Sequence, residues 1–181
     1  MKALVNKLKS MGWRISVAES CTGGTVSKMI TDVAGASAVF DMAVTTYSNE
    51  AKMKLLGVKP ETLAQYGAVS EQTAKEMAMG VKALADSNIA ISVTGIAGPA
   101  SDGTEKPVGM VCIGIATDER CFSTTFLFTG SRAEIRRLSA KMALRMALEE
   151  IGGVVKKEKP RLLRLPKKEK IEKKPGKNKK V

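Results

Sequence analysis

The sequence predicts one α/β domain, a three-layer α/β/α sandwich built on a mixed, mostly parallel sheet. Short apolar strands alternate with amphipathic helical segments over the first hundred residues, a pattern typical of parallel strands joined by helices. Residues 108–117 and 121–128 then follow each other across one short turn, which predicts a late antiparallel hairpin. With 181 residues and 44% hydrophobic residues, the chain is long enough to bury a full core.

The predicted strands are short. They cover residues 14–19, 38–47, 89–94, 108–117 and 121–128. The fourth is apolar on both faces, as expected for a central strand covered by helices on either side. The loop at residues 95–107 is long for a compact domain, and long loops often carry function.

Predicted helices occupy residues 1–11, the segment after Gly24, residues 49–56, residues 60–66, and two longer stretches with capping signals. Ser70 is the expected N-cap of the first long helix, whose apolar stripe is Ala74, Met77, Val81 and Leu84. Ser131-x-x-Glu134 is a capping box that opens the second. Its expected core face is Ile135, Leu138, Met142 and Met146.

The net charge of +12 is concentrated at one end of the chain. Residues 156–181 carry 13 Lys or Arg and three Glu, which leaves +2 for residues 1–155. We therefore expect a nearly neutral domain at 1–155, followed by a basic, disordered tail at 156–181. Two interpretations of the tail stay open: salt-dependent association with nucleic acid, or a solvated segment weakly attracted to polyanions.

The composition excludes several kinds of active site. The chain has no His, which rules out a Ser–His–Asp triad, a Cys–His dyad and His-ligated metal. Its three Cys have no metal-ligand spacing, so no metal and no cofactor is expected. There is no apolar run long enough for a signal peptide or a membrane span, which favours a reducing, cytoplasmic compartment.

The first candidate segment is Glu19-Ser20-Cys21-Thr22-Gly23-Gly24, where a strand hands over to a helix. A serine there faces the crevice at the carboxyl end of the sheet, and nearby backbone N–H groups and the helix N-terminus favour a developing oxyanion. Cys21 is a competing nucleophile, although adjacent side chains usually point apart. The alternative interpretation is that Ser20 or Thr22 is only an N-cap.

The second candidate segment is Tyr47-Ser48-Asn49-Glu50-Ala51-Lys52, at the next junction between strand and helix. A lysine desolvated there can take a proton from serine and so replace the missing histidine, with Tyr47 relaying or donating a proton. The alternative interpretation is that Lys52 is an ordinary solvated lysine on a helix surface.

Two further segments suit an anionic substrate. Residues 92–99 end a third strand with small residues, including Thr94 and Gly95, whose N–H groups can bind phosphate or carboxylate. Arg132 and Arg136 stand four apart at the start of a capped helix, which suits a phosphate monoester. A simple loop and a solvated basic face are the respective alternatives.

Taken together, these motifs closely resemble the CinA C-terminal domain family, the nicotinamide-nucleotide amidohydrolases. The resemblance spans residues 3–150 and lies in motifs that follow the family's order. They are Ala18-Glu19-Ser20-Cys21-Thr22-Gly23-Gly24, Tyr47-Ser48-Asn49-x-x-Lys52, Gly67-Ala68-Val69-Ser70, Val93-Thr94-Gly95-Ile96-Ala97-Gly98-Pro99, Lys106-Pro107-Val108-Gly109 and Gly130-x-Arg132-x-x-Ile135-Arg136.

The resemblance implies hydrolysis of nicotinamide mononucleotide to nicotinate mononucleotide and ammonia, a step of pyridine-nucleotide salvage. It implies Ser20 as the nucleophile, Tyr47 and Lys52 as its partners, substrate contacts at Thr94, Gly95 and Arg136, no metal, and a homo-oligomer. The sequence departs from the family after Pro99, where Ala-Ser-Asp-Gly replaces the usual Gly-Gly, and at Ser131, where many relatives have Asp. A rival interpretation is a silent nucleotide-binding domain that releases no ammonia.

Overall fold

The computed structural model describes residues 1–101 and 103–152. The predicted tail, residues 156–181, lies outside the described residues. Five strands are present: β1 (Ile15–Glu19), β2 (Phe40–Thr45), β3 (Ile89–Gly95), β4 (Met110–Thr117) and β5 (Cys121–Leu127). The α-helices are α1 (Lys2–Met11), α2 (Thr25–Thr31), α3 (Asn49–Leu56), α4 (Pro60–Tyr66), α5 (Glu71–Ala85) and α6 (Arg132–Glu150), with a 3-10 turn at Ala36–Ala38.

The strands form one mixed sheet in the order β2-β1-β3-β4-β5. Strand β1 pairs in parallel with both β2 and β3, whereas β4 runs antiparallel to β3 and to β5. The predicted mixed sheet and late hairpin are confirmed. Because β1 and β3 are central, all five residues of β1 and nearly all of β3 are buried.

Helices cover both faces of the sheet, which confirms the three layers. Helix α5 crosses one face, against β1, β3 and β4, with α3 and α4 packed beside it. Helix α6 crosses the other face, against β3 and β4, with α1 and α2 packed on it. The largest apolar cluster lies between the sheet and this second layer, and joins Leu8, Ile91, Ile113 and Leu144 among others.

The predicted helix caps are present, and one core residue was predicted wrongly. Ser70 accepts a hydrogen bond from the Thr73 amide, and both hydrogen bonds of the Ser131–Glu134 capping box form. Leu84, expected on the buried stripe of α5, is 49% exposed. The residues of that last turn are exposed or half-buried, so the helix leaves the sheet one turn earlier than its apolar periodicity predicts.

Candidate active site

The carboxyl ends of β1, β2 and β3 meet at one edge of the sheet. Glu19, the last residue of β1, stands level with Thr45 of β2 and Val93 of β3. The chain that leaves β1 begins with Ser20, and the chain that leaves β2 leads into α3. The three junctions expected in one crevice therefore follow strands that end side by side, as in other open α/β sheets.

The Lys52 side chain reaches Ser20 beneath the surface. Its Nζ lies 3.2 Å from Ser20 Oγ, 2.8 Å from the Thr46 carbonyl oxygen and 3.4 Å from the Tyr47 carbonyl oxygen. Lys52 is 1% exposed and Ser20 8%. Lys52 is therefore not the solvated surface lysine of the alternative interpretation.

The burial of Lys52 follows from how α3 begins. Ser48 caps this helix by accepting a hydrogen bond from the Ala51 amide. The cap starts the helix at Asn49, so that Lys52, one turn later, faces the sheet rather than solvent. The capping serine of α3 thus sets the direction of the lysine side chain.

Burial lowers the pKa of Lys52, because removal from water disfavours the ammonium ion. Negative charge on Cys21 or Glu50 would raise the pKa of Lys52, but this effect is smaller than that of burial. A neutral amine has two N–H donors and one lone pair. In that state the Thr46 and Tyr47 carbonyls, which can only accept, would take the two donors and leave the lone pair for the Ser20 hydroxyl proton. The geometry suits a general base.

The thiol of Cys21, the competing nucleophile, is buried and held neutral. Cys21 is 6% exposed. Burial raises its pKa to about 12, against the smaller opposing effects of its own backbone and of Lys52. Because the thiolate is the reactive form of cysteine, this environment disfavours Cys21 and favours Ser20.

In the loop after Ser20, two of the four predicted amide donors are already engaged. The Gly23 N–H donates to the Ser20 carbonyl at 3.1 Å, and the Gly24 N–H donates to Glu19 Oε2 at 2.9 Å. Within residues 1–101 and 103–152, the amides of Cys21 and Thr22 have no acceptor on another residue. These two N–H groups are the ones next to Ser20 that remain for an oxyanion.

Glu19 is a functional candidate that reasoning from sequence missed. Its carboxylate is fully buried and accepts hydrogen bonds from the Gly24, Val26 and Ser27 amides and from the Ser27 hydroxyl. It therefore caps α2 from the end of β1. The only signal in the sequence was a charged residue at the end of an otherwise apolar strand.

Both predicted arginines lie against the loops that surround the site. The Arg136 Nη2 atom donates to the Thr22 carbonyl at 2.8 Å, and its Nε is buried without a partner among the described residues. The Arg132 guanidinium donates to the Gly98 carbonyl at 2.6 Å and to the Tyr47 hydroxyl at 3.1 Å. The first two turns of α6 thus bring two positive charges to the crevice.

Tyr47 contacts the cluster through its backbone rather than its phenol. The side chain is exposed, and its hydroxyl accepts from Arg132 instead of meeting Ser20 or Lys52. Its carbonyl oxygen is the part that faces Lys52. Here the structure does not bring together the hydroxyl–lysine pair that the sequence suggested.

Thr94 and Gly95 have packing roles at the end of β3. The Thr94 hydroxyl is buried and donates to the Ala68 carbonyl at 2.8 Å. A Cβ on Gly95 would lie 2.6 Å from Val111 Cγ2, so the missing side chain allows β4 to approach. The Thr94 hydroxyl is therefore bonded away from the Ser20–Lys52 cluster, and Gly95 has no side chain to contribute to it.

In the part of the chain that the structure describes, no group of three or more His, Cys, Asp or Glu side chains could hold a metal ion. No helix among the same residues has the length and apolar character needed to cross a membrane.

A cavity of about 460 Å³ lies between β5 and α6 and shares no lining residue with the Ser20 site. Its lining comprises Arg120, Phe122, Thr124, Phe126, Met142, Arg145, Met146, Glu149 and Glu150. Two ion pairs, Arg120–Glu150 and Arg145–Glu149, balance the charge of its rim. The Ser20 site, in contrast, combines a serine hydroxyl, a buried lysine amine and two backbone amides without an acceptor on another described residue.

Comparison with known proteins identifies relatives of this chain. A nicotinamide-nucleotide amidohydrolase, PncC, of Enterobacter agglomerans is 51% identical over 144 residues, which cover 79% of this chain and 88% of that protein. A putative competence-damage inducible protein of Caldanaerobacter subterraneus is 49% identical over 150 residues, or 83% of this chain. The chain spans only 36% of the length of that second relative.

Solved structures show the same fold. The competence/damage inducible protein CihA from Agrobacterium tumefaciens is 40% identical with a TM-score of 0.78, over 82% of this chain and 91% of that one. A CinA superfamily protein from Klebsiella pneumoniae is 33% identical with a TM-score of 0.81, over 83% and 94% of the two chains. The family model of the CinA C-terminal domain matches residues 1–151, and the chain belongs to that family.

Proposed function

We propose that this protein hydrolyses the carboxamide of nicotinamide mononucleotide, releasing nicotinate mononucleotide and ammonia, with Ser20 as nucleophile. The observation that carries the proposal is the buried contact of 3.2 Å between Lys52 Nζ and Ser20 Oγ. The similarity to an amidohydrolase named for nicotinamide nucleotides supports the reaction and the substrate. Since the chain has no His, the base must be another residue type, and a Ser–Lys pair is a known variant of the catalytic triad.

In the first half of the reaction, neutral Lys52 takes the Ser20 hydroxyl proton while Oγ attacks the carboxamide carbon. The carbonyl oxygen becomes an oxyanion, which the Cys21 and Thr22 amides stabilise. When the tetrahedral intermediate collapses, the C–N bond breaks. The Lys52 ammonium, which already holds the serine proton, protonates the leaving nitrogen, and ammonia departs from an ester on Ser20.

In the second half, water replaces ammonia. Lys52, neutral again, takes a proton from the water as the oxygen attacks the ester carbon. The intermediate collapses, Ser20 recovers its proton from Lys52, and the nicotinate carboxyl is released.

Tyr47 has a different role from the proton donor expected from the sequence, since its hydroxyl is bonded to Arg132. Its carbonyl helps to orient Lys52.

The phosphate of the nucleotide is assigned to Arg132 and Arg136. Arg132 is exposed at the first turn of α6, and the half-buried Arg136 keeps an unpartnered Nε. Guanidinium groups suit phosphate oxygens because they offer paired donors. From the family resemblance we also propose that the protein is a cytoplasmic homo-oligomer. From composition we propose that nucleic-acid binding by the basic tail depends on salt concentration.

The reaction and its nucleophile are tested by ammonia release from nicotinamide mononucleotide. We expect the purified wild type to release ammonia and Ser20→Ala to lose turnover by at least about 10³-fold, because removing the nucleophile abolishes the covalent path. Cys21→Ala is the matched control and should retain most activity. Nucleotide binding without ammonia release would favour the silent binding domain, and near-normal activity in Ser20→Ala would refute the nucleophile.

The role of Lys52 predicts the direction of the pH dependence. Because only the neutral amine can accept the serine proton, kcat/KM should fall about tenfold per pH unit below the Lys52 pKa and level off above it. Since burial lowers that pKa, the midpoint should lie below that of an ordinary lysine. Lys52→Arg, always protonated, should be inactive at every pH measured. A rate that is flat or that rises toward acid pH would contradict the assignment.

The phosphate assignment is tested by comparing the mononucleotide with nicotinamide riboside, which lacks the phosphate. Arg132→Ala should lower kcat/KM for the nucleotide by about 10- to 100-fold, corresponding to about 1.5–3 kcal/mol for a charged hydrogen bond. It should change the riboside rate by much less. Tyr47→Phe, which removes only the hydroxyl bonded to Arg132, is the control for disturbing that contact. Equal losses on both substrates would exclude phosphate recognition by Arg132.

A further inference from the structure

Glu19 is a fully buried carboxyl group that forms no ion pair with another residue described by the structure. Instead it accepts four hydrogen bonds, at 2.9 Å from Gly24 N, 3.1 Å from Val26 N, 2.9 Å from Ser27 N and 2.7 Å from Ser27 Oγ. Burying a carboxylate is costly unless such donors surround it, so this arrangement calls for a role.

We propose that Glu19 is a positioning residue of the reaction, which acts by holding the loop of residues 20–24 in its active shape. The inference rests on the proposed function. The carboxylate joins the start of that loop, at the end of β1, to its end, at the first turn of α2. Ser20 and the two free amides lie between these fixed ends.

The backbone around Glu19 is fixed on both sides as well. Its carbonyl accepts from the Thr46 amide at 2.9 Å, and the Ser20 amide donates to the Val93 carbonyl at 2.9 Å. The entry of the loop is therefore tied to β2 and to β3. The Glu19 side chain is the connection that ties its exit, because Gly24 donates directly to the carboxylate.

The carboxylate also decides which amides the substrate meets. The first N–H groups of a helix have no partner within the helix and would attract an anion. Glu19 occupies those of Gly24, Val26 and Ser27. The Cys21 and Thr22 amides, adjacent to Ser20, are left for the oxyanion. Glu19 thereby directs the negative charge toward the nucleophile instead of the helix end.

The decisive variant is Glu19→Gln, which keeps the shape of the side chain. Glutamine has one acceptor oxygen and one NH₂ donor, so at least one backbone N–H of the α2 start would face another donor. We expect kcat to fall by about 10²-fold, the loss typical of a displaced oxyanion donor. KM should change by less than about threefold, because the oxyanion exists only after attack. The midpoint of the fall in kcat/KM at low pH should stay unchanged, since Glu19 does not contact Lys52.

Ser16→Ala is the matched control for a loss of stability alone. Ser16 lies on the same strand, is fully buried, and hydrogen bonds to Ser87 and to the Val81 carbonyl near the opposite end of β1. The Ser16→Ala change should lower the melting temperature without lowering kcat of the folded protein.

Should Glu19→Gln not fold, Ser27→Ala is measured instead, because this change removes one of the four hydrogen bonds and leaves the carboxylate. We expect it to lower kcat several-fold with KM unchanged.

The outcomes separate clearly. A Glu19→Gln enzyme within about threefold of the wild-type kcat, or a loss of kcat that Ser16→Ala reproduces at equal stability, would overturn the proposal. If Glu19→Gln does not fold, an unchanged kcat in Ser27→Ala would overturn the proposal. If the wild type releases no ammonia, the rate at which a fluorophosphonate labels Ser20 is measured instead. Slower labelling in Glu19→Gln, or in its replacement Ser27→Ala, with normal labelling in Ser16→Ala, would support Glu19 even though the substrate had been assigned wrongly.

Discussion

The contact between a buried lysine amine and a serine hydroxyl organises this site. A lysine removed from water holds its proton less tightly, and a serine beside it gains a base. The surrounding structure is what makes the contact possible. The Ser48 cap directs Lys52 inward, and the Thr46 and Tyr47 carbonyls engage its N–H groups. In the mechanism we propose, burial and orientation supply the general base of a chain without histidine.

The sheet supplies the frame for that contact. Three neighbouring parallel strands end at one edge, and each releases a loop into the same crevice. Helix α6 closes the crevice from the other layer, where Arg136 binds the Thr22 carbonyl and Arg132 the Gly98 carbonyl. Glu19 connects strand β1 to helix α2. The fold therefore positions the site. Ser20 follows β1 and Lys52 follows β2, so the pairing of these two strands brings the two residues close together.

Much of this arrangement is predictable from local sequence. Alternating strands and helices predict the layers, and strand ends rich in small and polar residues predict where the loops converge. The missing histidine makes lysine one of several candidate bases, and the family resemblance then implies the pairing of Ser20 with Lys52. The capping box at Ser131 and the cap at Ser70 are visible because capping depends on residues three apart.

What the sequence does not predict depends on side-chain direction and packing. Glu19 sits in an apolar strand, and only the fold reveals that α2 begins against its carboxylate. The Tyr47 hydroxyl turns to Arg132, a residue 85 positions away, and Thr94 is bonded to a carbonyl 26 positions earlier. Leu84 fits the helical period yet lies beyond the covered part of α5. Such features are set by tertiary contacts that no local pattern contains.

The most direct test of the central claim is the titration of Lys52 itself. Lysine labelled with ¹³C at Cε reports protonation through its chemical shift, and comparison with Lys52→Arg assigns the resonance. We predict that Lys52 titrates at a lower pH than the other lysines. The fall in kcat/KM at low pH should have the same midpoint as this titration. A Lys52 resonance that titrates together with the exposed lysines would show that the amine is charged at neutral pH, and would contradict its role as the base for Ser20.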